Sequence, residues 1–520
     1  MQDIEPFRRE ARAMVGEAQF IDDPRALARL TDNTLGLERT LAAAAYPEST
    51  EQVAGLVRLA RDLKVPLYPV SRGRNMGYGD RAPAMDGHVL LDLSRMRAVR
   101  EYDQDLGWVV IESGVSQQEL YDFLRQRNSP YWMDATGAGL EASIVGNTLE
   151  GGFGHTPLGN HREAFSDLEV VLGNGLIFHT GRFPSLGPDL KGLFVQSNFG
   201  VITAMRLPLM PAPEHFESFV LRCDEASGLP GIVEAMRRLR MEGVLTSCVH
   251  IANAVRYLVS SRRCPPEYQG RTIDDQEARR IMSSRLLPVG YWNAAGGLYG
   301  LRRAVAAHKA RMAGMFKGLA HVQFFSDAKL NMLGRLAGLA GGLGLPAVKR
   351  VKDSLESFTH IHHMMKGVPT DEAFRNILWR VDSLDRMGLI WFAPVAEAKG
   401  QEAGRILELA APLFAKRGFD MPVTITLVSA ERMVAVLNIS FDKTDPQEKS
   451  RAWALYDELR EKFAANAIGM YRSSIMNMSG LTLQDPARQE VLNRIKSVLD
   501  PDQIISRGRY GIGWPRENQG

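Results

Sequence analysis

The chain has 520 residues, more than one hydrophobic core usually organises, so two domains are expected. Hydrophobic residues make up 45% and charged residues 24%, the balance of a globular chain with an ordinary core. A net charge of +3 leaves no electrostatic footprint for nucleic acid, and three cysteines (Cys223, Cys248, Cys264) are too few for a disulfide framework and fit no zinc spacing. A reducing, cytoplasmic setting is the default expectation.

The first residues, MQDIEPFRREARAMVG, are charged and lack the apolar centre of a signal peptide. EQVAGLVRLARDLK follows, with Val53, Leu56, Val57 and Leu63 at helical steps and Ser49 or Thr50 as its cap. VPLYPV (65–70), HVLLDL (88–93) and WVVIES (108–113) read as strands around a glycine-rich turn, SRGRNMGYG (71–79). Glycines crowd 137–154, and DLEVVLGNGLIFHTG (167–181) reads as a hairpin with Gly173-Asn174-Gly175 at its tip. Residues 212–466 then mix long helical runs (300–318, 400–417) with strands near 391–396 and 421–441. The tail carries a helix at 487–499 and a compact loop, LDPDQIISRGRYGIGWP. Leu336 to Val348 (LAGLAGGLGLPAV) is apolar, is followed by Lys349, Arg350 and Lys352, and is too short to span a bilayer; it reads as a lid or packed loop. The fold class is α+β, with no integral membrane segment and a homodimer as a candidate assembly.

Ser71-Arg72-Gly73-Arg74-Asn75-Met76-Gly77 combines glycines, a small hydroxyl residue and positive charge, which suits a pyrophosphate held by backbone N–H groups. Structural turns use glycine in the same way, so the loop alone leaves both readings open. The spacing of Gly73, Gly77 and Gly79 matches neither the parallel dinucleotide fingerprint nor a Walker loop.

PVSRGRNMGYG, IVGNTLEGGFGHTPLGNH (144–161), FVQSNFGVIT (194–203) and LDPDQIISRGRYGI (499–512) occur in the order and spacing of one family. GYWNAAGGLYG (290–300), KGVPTDE (366–372) and IWFAPVAEAKG (390–400) match it in the middle of the chain. The sequence thereby resembles the FAD flavoproteins of the vanillyl-alcohol oxidase and para-cresol methylhydroxylase family. The resemblance implies an FAD-binding domain (1–211), an α+β cap domain over the flavin (212–466) and a C-terminal segment returning to the FAD domain (467–520). It places residues 71–77 at the pyrophosphate, Ser143, Gly146, Asn147, Gly200, Val201 and Ile202 along the cofactor cleft, and Arg509 near the flavin. Leu389 stands where many members carry the residue that links FAD covalently. Leucine has no nucleophile, so non-covalent FAD is expected.

The family's phenol-oxidising branch holds the substrate oxygen with two tyrosines and an arginine, and the matching residues are Tyr78, Tyr471 and Arg472. A phenol gives up a benzylic hydride far more readily as phenolate, which a cation and two hydroxyl donors stabilise. The expected partner is therefore a small phenolic molecule. Where hydroxylating members carry an acid for water activation, this chain aligns Ala138. Asp134 lies nearby, and Glu141 or His155 could substitute. With Ala138 at that position, the quinone methide is expected to give an alkene, by oxidative decarboxylation, which needs no base, or by desaturation, which needs one for the neighbouring proton, for instance in tailoring a tyrosine-derived natural product. The HIHH run (His360, Ile361, His362, His363) is either a cationic holder for a substrate carboxylate or a solvated or packed helix end. Competing readings are hydroxylation or oxidation of a 4-alkylphenol or aryl alcohol, oxidation of a non-phenolic hydroxy acid or sugar, and a flavin-binding subunit without its own turnover.

Overall fold

The computed structural model describes residues 4–183, 186–282, 288–341, 355–356, 358–372, 378–481 and 486–513. Leu41–Ala45, His88–Asp92 and Leu67–Val70 form parallel neighbours in a first sheet, with Phe20–Ile21 antiparallel at its edge. Helix Thr50–Asp62 connects Leu41–Ala45 to Leu67–Val70. Ser49 Oγ accepts from Gln52 N, and Val53, Leu56 and Val57 are fully buried, as the helical spacing predicts, while Leu63 stands just past the helix end and is half-buried. A second, antiparallel sheet runs Val99–Asp103, Trp108–Glu112, Val201–Pro208, Asp167–Val171, Ile177–His179, and its last pair is the expected hairpin.

A third sheet draws its strands from 215 to 442. Its order is His321–Phe325, His215–Cys223, Trp292–Gly300, Val249–Asn253, Val423–Leu427, Arg432–Asp442, Met387–Phe392, antiparallel throughout. Helices Leu229–Met241, Gly400–Arg417 and Pro446–Ala464 pack into the large core on one face, with Ile232, Met236, Phe414 and Phe463 fully or almost fully buried. Strand alternation decides which side chains reach the other face. In Val249–Asn253, Val249 and Ile251 enter the core while His250 and Ala252 turn to a cavity.

The tail closes back on the first sheet. Leu67 N donates to Ile504 O and Ser506 N to Leu67 O, and Lys496, buried in helix Pro486–Leu499, pairs with Asp500 at 2.7 Å. The apolar 336–348 stretch departs from expectation: residues 336–341 end helix Asp327–Gly341, because their leucine and alanine content outweighs the glycines. Residues 342–348, with Lys349, Arg350, Lys352, Trp514 and Pro515, lie outside the described residues. No helix among the described residues is long and apolar enough to cross a membrane.

Candidate active site

A cavity of about 1260 Å³ lies between the two smaller sheets and the third. Sites for one small molecule run roughly 300–1,000 Å³, so this volume suits a large cofactor together with a substrate. One wall is the loop after strand Leu67–Val70. Residues 71–76 all line the cavity, and no backbone N–H from Ser71 to Met76 has a partner among the described residues. These residues are half-buried, with Arg74 exposed, and a run of unpaired N–H groups of this kind suits acceptor oxygens from a ligand.

Gly77 sits behind this loop. Its φ is +75°, and a Cβ there would lie 2.2 Å from Trp391 Cδ1. Only glycine combines that backbone with so close an approach. Trp391, in strand Met387–Phe392, donates from Nε1 to Met76 O at 3.0 Å and from its backbone N to Gly77 O, stapling the loop to the third sheet. The next wall comes from helix Ile144–Leu149, where Ser143 Oγ accepts from Gly146 N at 2.9 Å. Ser143, Gly146, Asn147, Gly200, Val201, Ile202 and Arg509 all line the cavity.

Tyr78, Tyr471 and Arg472 also meet on the cavity wall. The Arg472 guanidinium stacks 4.2 Å from the Tyr78 ring centroid, donates to Asn75 Oδ1 at 2.5 Å and pairs with Glu150 at 3.3 Å. Its Nε is buried without a partner among the described residues. Burial disfavours the Arg472 charge, but Glu150 together with Tyr471, Tyr78 and Tyr510 outweighs it and holds the guanidinium above its ordinary value. Burial raises both tyrosines, Tyr78 strongly, so each keeps its proton and donates.

Glu150 is a hub that the sequence alone did not mark. Burial would raise its carboxyl, but Arg509 and Arg472 hold it below the usual range, and Tyr510 Oη also donates to it. Arg509 in turn donates to Tyr68 Oη at 2.9 Å.

His155 lines the cavity, with Nδ1 3.1 Å from Ala135 O. A carbonyl only accepts, so Nδ1 carries the proton and Nε2 keeps its lone pair. Burial keeps His155 below its ordinary value, and His250, 4.5 Å away between ring centroids, lies well below for the same reason with the His155 charge added. Both rings are neutral near pH 7. Ala138 lines the cavity as well. Glu141 does not: its carboxylate is exposed and paired with Arg72, because the chain turns outward after Leu140, whose N donates to Asp371. Asp134 is also withdrawn, bonded to His161 Nε2 at 2.6 Å and to the backbone of His155 and Thr156.

The HIHH run divides. His362 is fully buried, held between Ser218 Oγ at 2.7 Å and Asp327 at 2.9 Å, so it is packed into the fold and unable to reach a ligand. His360 lines the cavity. Leu389 also lines it and is 1% exposed. The cavity face of the third sheet follows from register. His250 stands beside Ala295 and Thr426, Ala252 beside Asn293 and Thr424, and Arg222 beside Asn293 and His321. The alternation in VHIAN was the available signal for His250, and no local pattern marked Arg256 beyond it.

Comparison with known proteins agrees with this cavity. A family model described as an FAD binding domain matches residues 41–181. The chain is 28% identical to the 4-cresol dehydrogenase [hydroxylating] flavoprotein subunit of Pseudomonas putida, over 96% of this chain and 94% of that one. It is 29% identical to the 1'-carboxy-chondrochloren decarboxylase of Chondromyces crocatus, over 97% of each. Among solved structures, p-cresol methylhydroxylase with substrate bound superimposes with a TM-score of 0.88 at 27% identity, covering 98% of this chain and 97% of that one.

Proposed function

The chain is an FAD-dependent oxidoreductase of the vanillyl-alcohol oxidase and para-cresol methylhydroxylase family, and from that premise we propose that it takes a hydride from the benzylic carbon of a para-substituted phenol. The observation that carries this reading is the meeting of Tyr78, Tyr471 and Arg472 on one cavity wall, with the buried Arg472 Nε unpaired. We keep the division into residues 1–211, 212–466 and 467–520 as our reading of the domains.

FAD, when bound, supplies the two-electron acceptor. Residues 71–76 would hold its pyrophosphate, Ser143, Gly146, Asn147, Gly200, Val201 and Ile202 would line its cleft, and Arg509 would supply a cation near the ring. Leu389 offers no nucleophile, so we expect the cofactor to be held without a covalent bond. Acid precipitation should release the yellow colour; flavin retained in the pellet would refute this.

Tyr78 and Tyr471 donate to the substrate oxygen and Arg472 carries the counter-charge, so the phenol releases its proton to solvent on binding. Hydride departure from that phenolate leaves a neutral quinone methide. With Ala138 at the water-activating position and Glu141 facing solvent, we favour an alkene product, by loss of carbon dioxide where a carboxylate neighbours the benzylic carbon or by desaturation with His155 Nε2 taking the neighbouring proton. In the first case the carbon–carbon bond pair forms the alkene and the ring recovers the phenolate. A carboxylated substrate is also what the name of the Chondromyces crocatus relative implies for that enzyme. Hydration is the competing outcome, with His155 Nε2 as its base.

Anaerobic mixing with a 4-alkylphenol should bleach the flavin absorbance. Bleaching by hydroxy acids or sugars alone would overturn the phenol reading, and bleaching by no substrate would favour a subunit without turnover. Turnover in oxygen-18 water then reads the product, and stoichiometric label at the benzylic carbon would mean hydration wins.

A further inference from the structure

The cap side of the cavity holds a second buried arginine. Arg256 lies in helix Ala254–Ser261, directly after strand Val249–Asn253, and lines the cavity with Tyr257 and Ser260 of the same helix. Its guanidinium makes no ion pair or hydrogen bond among the described residues, and its Nη1 is buried without an acceptor. Burial pulls its proton affinity down to about 10, with no carboxylate among the described residues to offset it, so it stays cationic at neutral pH. Asp275, which packs at the start of this helix, accepts from Val255 N instead.

An unpaired buried guanidinium is costly and uncommon unless a ligand completes it. Its described neighbours on the sheet face are neutral. Ala252, Asn293 and Thr424 share one row of the sheet face, and His250, close enough to feel the Arg256 charge, is itself uncharged. The other cations on this wall are already engaged: Arg222 pairs with Asp224 at 3.1 Å, and Lys329 donates to Phe324 O at 2.8 Å.

Arg256 also belongs to the same wall as the phenol-binding residues. His250 packs 6.1 Å from the Phe153 ring, and Phe153 packs 5.5 Å from Tyr471. A substrate with its phenol oxygen at Tyr471 and Arg472 would extend along Phe153 and the two neutral histidines towards Arg256.

We propose that Arg256 is a specificity-determining residue that binds a carboxylate carried on the para side chain of the substrate; this rests on the phenol reading above. A planar guanidinium matches a carboxylate through paired N–H donors, which a lone ammonium cannot reproduce. The substrate class is then a para-substituted phenol with an anionic side chain, anchored at Arg256 and not at His362, which Ser218 and Asp327 hold.

The test uses ligands from which no hydride can leave. 4-(4-Hydroxyphenyl)-4-oxobutanoate and its one-carbon-longer homologue are each compared with the matching primary amide, in titrations of flavin absorbance on the FAD-loaded enzyme. The wild type should bind at least one acid more tightly than its amide. Arg256→Gln should weaken that acid by roughly 10- to 100-fold, the range for hydrogen bonds to a charged group, and leave the amide within about twofold. Arg256→Lys should recover part of the loss, which guards against a folding defect. Equal weakening of acid and amide, or no preference for either acid in the wild type, would overturn the proposal. A neutral 4-alkylphenol separates the two readings. If it bleaches the flavin while the acids gain nothing, only the anion subsite falls; if no phenol bleaches it, both fall.

Discussion

Two buried arginines face the same cavity in opposite electrostatic conditions. Arg472 stacks on Tyr78 and is held by Asn75 and Glu150, while Arg256 has no partner among the described residues. The first is a cation whose field is set before any ligand arrives, which suits stabilising a charge that changes during the reaction. The second gains its partner only from a ligand, which suits selecting one molecule over another. Pre-paired charge serves chemistry, and unpaired charge serves recognition.

The sharpest way to break this contrast is to remove each cation in turn. Arg472→Ala should slow anaerobic flavin reduction by a neutral 4-alkylphenol by about 100- to 1,000-fold, the range for one preorganised donor to a developing or stabilised oxyanion. Arg256→Ala should leave that rate within about twofold. Similar losses in the two variants, at equal flavin content, would show that both arginines act on the phenol. The next effect is smaller. Tyr78→Phe and Tyr471→Phe should each slow reduction by roughly 10- to 100-fold, since each removes one donor and leaves the cation. The deficit should shrink as pH approaches about 10, where a phenol ionises unaided.

The weakest expected effect tests whether Arg256 is truly alone. Burial raises the Asp275 carboxyl from 3.8 to about 6. A folded value above the unfolded one means the stability this group lends is complete below the unfolded pKa and is lost as pH rises through about 6. Asp275→Asn keeps an acceptor for Val255 N and removes the charge. It should stabilise the fold by about 1–2 kcal/mol at pH 8 and by nothing at pH 4, read as a shift in Tm. If it also changed the affinity for the carboxylated ligands, Asp275 would be a hidden partner of Arg256.

The two regions also differed in how far the sequence revealed them. The 71–77 loop could be singled out because the phosphate cradle proposed for it needs contiguous backbone, small side chains and a glycine such as Gly77 at positive φ, all of which are local. The alternation in strands and the periodicity of Thr50–Asp62 were legible for the same reason. Arg256 was not, because having no partner is a property of neighbours brought together from strands far apart in the chain. Glu150 lay inside a recognised motif, yet its role depends on Arg472 and Arg509, more than 300 residues later. Proximity in sequence misled for Glu141, which the turn after Leu140 sends to solvent and to Arg72.

Glu150 has a further consequence. One carboxylate shared by Arg472 and Arg509 leaves a triad with a single surplus positive charge, whichever arginine it leans towards. On the chemistry proposed above, a phenolate cancels that surplus at the Arg472 end. Loss of the hydride would leave the substrate neutral, and Arg509 would then stand ready to offset negative charge on the reduced cofactor. The site would thus keep one overall charge through substrate oxidation, with Glu150 as the pivot between two alternating counter-ions and no proton drawn from solvent.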